Sequence, residues 1–102
     1  MISPSRAGAH EIQEARIRRA PDVLFRRSGS ATILARLRGT SFHGLEGPAS
    51  LAWELLEEDS LDELARRLVG RYPAMSSWVD RQLPAVIREL LSLGLVVRVD
   101  PG

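Results

Sequence analysis

The chain has no cysteine, no lysine and no long apolar run. The absence of cysteine excludes disulfides, thiolate zinc sites, iron–sulfur clusters and a thiol nucleophile together. Without lysine there is no phosphate-binding loop of the G-x-x-x-x-G-K type. Apolar runs of only a few residues are too short to cross a bilayer. The opening residues MISPSRAGAHEIQEAR carry no apolar core of the kind a secretory signal needs, so no membrane role is expected and a cytoplasmic location is the default.

What is present is 102 residues with a hydrophobic fraction of 44%, enough for one small domain with a core of its own. Net charge is +1, unevenly spread. Up to Arg38 there are eight arginines against three acids, and from Gly39 onward six arginines against ten acids. A coding bias explains the choice of arginine over lysine. It does not explain the placement, which gives the N-terminal part a positive field that favours an acidic partner.

Residues 1–14 show no period and are expected to be a flexible tail, leaving residues 15–99 as the domain. Pro21-Asp22 breaks the chain before Val23-Leu24-Phe25, and Ser28-Gly29-Ser30 precedes ATILARLR. In that run Ile33, Ala35 and Leu37 alternate with Thr32, Leu34, Arg36 and Arg38, as in a half-buried strand. A second turn at Arg38-Gly39-Thr40 leads to a third short strand, giving a three-stranded antiparallel meander.

From Gly47 the period turns helical. Pro48 suits a first helical position. Leu51, Ala52, Leu55 and Leu56 form an apolar stripe with Trp53 at its flank. Ser60-Leu61-Asp62-Glu63 is a capping box opening a second helix with Leu61, Leu64, Ala65 and Leu68 buried. A third helix starts near Ser76 or Ser77 and ends at Gly94, a left-handed C-terminal cap. Pro84 lies inside it, so either the helix is continuous and kinked or a short turn ends near Gln82. The continuous form is the expectation. Leu95 to Val99 read as a brief extended tail.

No catalytic constellation emerges. His10 is in the tail and His43 stands on the third strand without clustered ligands, so no metal and no cofactor are expected. No serine sits in a G-x-S-x-G elbow. Asp59, Asp62 and Glu63 are accounted for by helix capping and a solvated face. Two binding roles remain. A sheet followed by three helices fits a winged-helix DNA-binding protein, but Asp80 and Glu89 offset Arg81 and Arg88, a poor footprint for phosphate. The other role is peptide capture: an exposed strand edge pairs with an extended peptide whose side chains enter a groove beside a helix.

The run Phe42-His43-Gly44-Leu45 into Pro48-Ala49-Ser50-Leu51-Ala52-Trp53 resembles the strand-to-helix signature of PqqD-like proteins. So do Ser60-Leu61-Asp62-Glu63-Leu64 running to Arg71-Tyr72-Pro73, and the ending Val86-Ile87 to Gly94-Leu95-Val96. The resemblance implies an α+β winged helix-turn-helix, three antiparallel strands followed by three helices. It implies a precursor recognition element of ribosomally made, post-translationally modified peptides, lasso peptides among them. Such a domain does no chemistry. It binds the precursor leader peptide as an added strand and delivers it to a modifying enzyme: a radical enzyme, a leader protease or a cyclase. Carried onto this chain, the strand spans residues 40–45, contributing Thr40, Ser41, Phe42 and His43. Val79, Gln82, Leu83 and Val86 form the helix wall, and Arg36 and Arg38 steer acidic leader residues. Glu46, where the family often has an asparagine-like residue, and Pro84 depart from the pattern.

Overall fold

The computed structural model describes residues 15–99; the tail expected over residues 1–14 lies outside them. The elements run β1 (Arg16–Arg19), β2 (Val23–Ser28), β3 (Ala31–Arg36), β4 (Phe42–Glu46), α1 (Pro48–Leu55), β5 (Glu58–Ser60), α2 (Leu61–Arg71), a 3-10 turn (Pro73–Met75), α3 (Ser76–Ser92) and β6 (Val96–Val99). The architecture is α+β: three helices and two three-stranded antiparallel sheets.

The expected meander is the sheet β2-β3-β4. Ser28 pairs with Ala31, leaving a two-residue loop in which Gly29 has φ 62°, the left-handed conformation that tight hairpins require. The burial phase of β3 is the reverse of the alternation read from sequence. Thr32 and Leu34 are buried, whereas Ile33 and Leu37 are exposed. The reason is local pairing. Thr32 and Ser50 share a hydroxyl hydrogen bond of 2.5 Å, and both side chains are buried. A satisfied hydroxyl pair can enter the interior at little cost.

The second sheet, β5-β1-β6, was not expected. In β1 only Ile17 is apolar and fully buried; Arg16 and Arg18 beside it are exposed, and Arg19 is partly buried. The sequence Glu58-Asp59-Ser60 has no strand propensity at all. It pairs because Asp59 is drawn inward. Asp59 is 3% exposed, forms an ion pair with Arg67, and accepts the Glu57 main-chain N–H at 3.0 Å. Asp59 is therefore a buried, paired carboxylate and not part of a solvated face. The extended tail after Leu95 is β6, paired with β1 from Arg16↔Val99 to Arg19↔Val96.

The helix ends are closed by identifiable groups. Pro48 opens α1 behind Gly47. At its other end each of the last four carbonyls has a donor: Leu56 N–H bonds Ala52, Arg19 bonds Trp53 and Glu54, and Arg67 bonds Leu55 at 2.7 Å. Arg19 also lies over the rings of Phe25 and Trp53, 4.9 and 5.4 Å from their centroids. Burial lowers its pKa from the usual arginine value, with Glu54 and Glu57 acting in the opposite direction. The capping box is present in full: Glu63 N–H bonds the Ser60 hydroxyl and Ser60 N–H bonds the Glu63 carboxylate at 2.9 Å.

Helix α3 is continuous through Pro84. It ends in a Schellman motif, in which Leu95 N–H bonds Leu90 C=O at 2.9 Å and Gly94 N–H bonds Leu91 C=O at 3.1 Å, with Gly94 at φ 75°. Leu90 and Leu95 are both buried, completing the motif's apolar contact. The core joins both sheets to the helices through Ile17, Leu34, Trp53, Leu64, Leu68, Leu83, Ile87 and Leu95. Trp53, placed at the flank of its helix by periodicity, is 1% exposed, while Leu51 and Leu55 are only partly buried. Its indole packs against the Phe25 ring in a T-shaped arrangement, with centroids 5.5 Å apart and planes at 78°. No described helix is long and apolar enough to cross a membrane.

Candidate functional site

Strand β4 is an edge. It pairs with β3 on one side, and no described strand pairs with its other side. The direction of its main-chain groups follows from register. Gly47 N–H bonds Ser30 C=O at 3.1 Å, continuing the ladder in which Leu45 faces Thr32 and His43 faces Leu34. Antiparallel pairing alternates, so Gly47, Leu45 and His43 exchange bonds with β3. The N–H and C=O groups of Phe42, Gly44 and Glu46 then point to the open edge, a row of unused donors and acceptors.

Below that edge is a cleft of about 310 Å³. Phe42, His43, Gly44 and Leu45 form its strand side, Ala49 its floor from α1, and Val86, Glu89, Leu90 and Leu93 its helical wall. The wall is one stripe of α3, since positions three, four and seven residues beyond Val86 share its face. Five of these nine residues are large apolar or aromatic side chains, and Glu89 is the one acid. The cleft therefore offers apolar contact together with a main-chain template, the chemistry of strand addition.

The structure distributes the sequence-predicted residues unevenly. Phe42, His43 and Val86 meet in the cleft. Gln82 is exposed one turn before Val86. Val79 and Leu83 are buried and turn toward α2, beside Leu61 and Ala65. Thr40 and Ser41 are exposed in the β3–β4 connection, outside the ladder. Arg38 is exposed in the same connection. Arg36 donates to one oxygen of Asp22 from Nε and Nη2 at 3.2 and 3.1 Å. Sequence reasoning did not name Gly44, Leu45, Ala49, Glu89, Leu90 and Leu93 as cleft residues. The spacing from Val86 through Leu93 was the available signal.

On the outer face of the same sheet Leu24, Ile33 and Phe42 are exposed around a broad apolar depression of about 540 Å³, with Arg26 beside them. Phe42 is common to this depression and to the cleft. Among the described residues no three His, Cys, Asp or Glu side chains are grouped to hold a metal ion.

A strand edge over an apolar, helix-walled cleft has the geometry that strand addition needs. Comparison with known proteins gives the family. The model for coenzyme PQQ synthesis protein D (PqqD) matches residues 31–96, and the chain belongs to that family. No curated protein matches the chain. A solved structure of TbiB1 in complex with the TbiA(beta) leader peptide shares the fold, with a TM-score of 0.65 and 24% sequence identity over 78% of this chain and 93% of that one.

Proposed function

We propose that residues 15–99 form a recognition domain that captures the leader segment of a ribosomally made precursor peptide and presents it to a modifying enzyme. On this reading the fold is a winged helix-turn-helix variant used for peptide rather than DNA. The observation that carries the proposal is the open β4 edge lying over the apolar cleft of α3. An extended leader pairs with Phe42, Gly44 and Glu46 through its main chain. Its inward side chains enter the cleft against Val86, Leu90 and Leu93. Family membership and the leader-bound state of TbiB1 support the same assignment. The domain acts by binding, and the enzyme it serves is a radical enzyme, a leader protease or a cyclase.

Calorimetry against the leader segments of any short precursor peptides encoded near its gene tests the proposal. Saturable one-to-one binding is expected, and its absence with every neighbouring precursor sinks the reading. A DNA-binding role has weaker support, because Asp80 and Glu89 on α3 and Asp62 and Glu63 on α2 sit among the arginines that phosphate would need. An electrophoretic shift assay with duplex DNA separates the two roles.

A further inference from the structure

The sign of charge in the cleft is opposite to that of the N-terminal strands around it. Glu89 is exposed, lines the wall between Val86 and Leu93, and has no ion-pair partner among the described residues. The arginine nearest the end of that wall is already engaged. Arg36 is bonded to Asp22, and its guanidinium lies against Gly94, past the last cleft residue. Arg38 does not line the cleft.

We propose that the cleft selects a leader carrying a lysine or arginine two positions from an apolar anchor, with Glu89 as the residue that reads the cation. This rests on the leader-capture reading and names the peptide chemistry that reading leaves open. The spacing follows from geometry. Inward side chains of a strand recur about every 6.8 Å, two residues at about 3.4 Å each. One turn of the facing helix advances about 5.4 Å. An apolar side chain seated against Val86 therefore brings the next inward position opposite Glu89 and Leu90. An acidic side chain there meets a like charge at the mouth of an apolar cleft, and a cationic one is attracted. A long lysine or arginine stem also covers Leu90 and Leu93 while its head reaches the carboxylate.

The test uses the full chain, immobilised, to select from a displayed library of random twelve-residue peptides. Wild-type protein is compared with Glu89→Lys and with Phe42→Pro, all three checked for folding by circular dichroism. Wild-type selection is expected to enrich Lys or Arg two positions from Leu, Ile, Val or Phe. Glu89→Lys is expected to replace that preference with Asp or Glu. The single peptide that binds wild type best should lose roughly three- to tenfold in affinity for Glu89→Lys, the range of an exposed ion pair turned into a repulsion. An unchanged preference in Glu89→Lys, or no charge preference in wild type, overturns the role of Glu89 and leaves strand capture standing. Peptides that bind Phe42→Pro as well as wild type, or no enrichment at all, overturn strand capture itself and this inference with it.

Discussion

A methyl group at Gly94 would lie 2.8 Å from Nη1 of Arg36 and 3.5 Å from its Cζ. The end of α3 is thus fitted against an arginine from β3, at the far end of the wall that lines the cleft. Two demands fall on this glycine. Its φ of 75° disfavours any side chain, and the guanidinium occupies the space a side chain needs. The backbone demand is the stiffer one, since the arginine head can swing away. Gly94→Ala is expected to cost about 1–2 kcal/mol from the left-handed conformation alone. Adding Arg36→Ala should recover only a few tenths of that. Urea unfolding of the two single variants and the double variant measures both terms. A Gly94→Ala midpoint equal to wild type overturns the argument.

The reversed phase of β3 makes opposite demands on neighbouring residues. Leu34 is fully buried, so Leu34→Ala should destabilise by about 2–5 kcal/mol. Ile33 is 47% exposed on the outer face, and Ile33→Ala should cost well under half as much. The alternation read from sequence alone demands the reverse order. Thermal unfolding of the two variants decides between them.

That reversal shows what the residue pattern can and cannot carry. The helices were legible because capping signals are local: Ser60 and Glu63 bond each other, and Gly94 closes α3 through its own backbone. The meander was legible from its turns. The phase of β3 was not, because a threonine is polar by type yet enters the core once Ser50 meets it. The sheet β5-β1-β6 was hidden for a similar reason. Its strand Glu58–Ser60 is held by Asp59 and an arginine eight residues away, and no strand preference marks it. In the cleft, Val86 was legible as part of the α3 stripe. Val79 and Leu83 continue the same stripe toward the start of α3, where it packs beside α2, and periodicity cannot tell which stretch of a stripe meets a helix and which meets the sheet edge.

Acid should loosen the start of α2 in a way one residue controls. Hydrogen bonds from the Ser60 main chain, then from its side chain, together with Arg16, hold the Glu63 carboxyl below the usual glutamate value. A depressed folded-state pKa means the contribution is fully present above the unfolded value. It is lost as pH falls through the folded one. Between neutral pH and the ordinary carboxylate range near 4.5 the box should therefore hold, and below that range it should weaken. Gln at this position keeps the reciprocal bond but does not titrate. The difference in melting temperature between wild type and Glu63→Gln should narrow as pH is lowered from 7 to 3. A difference independent of pH removes Glu63 from the acid response.

Arg19 closes α1 by taking two carbonyls, at 2.6 and 3.0 Å to Trp53 and 2.7 Å to Glu54. Charge-assisted bonds of this kind are worth about 1.5–3 kcal/mol when a partner is removed. Arg19→Ala should therefore destabilise by about that amount, and Arg19→Lys should restore only part of it, because one ammonium cannot reproduce the planar fork. Hydrogen exchange localises the effect: the α1 amides should lose protection before those of α3. Uniform loss across the domain contradicts a capping role.

The alternation of β4 gives the most discriminating pair of substitutions. Phe42 aims its N–H at the open edge, so Phe42→Pro removes a donor that no described strand uses. The fold should persist, with a melting temperature close to wild type, while affinity for a bound leader strand falls at least tenfold. His43 aims its N–H at Leu34 in β3. His43→Pro removes a ladder bond from the sheet that carries the cleft and should lower stability itself, by about 1–3 kcal/mol for the carbonyl left unpaired. Adjacent prolines thus separate binding from folding. If Phe42→Pro unfolds the sheet and His43→Pro does not, the edge groups have been assigned to the wrong residues. If both fold and both bind, the peptide does not pair with β4.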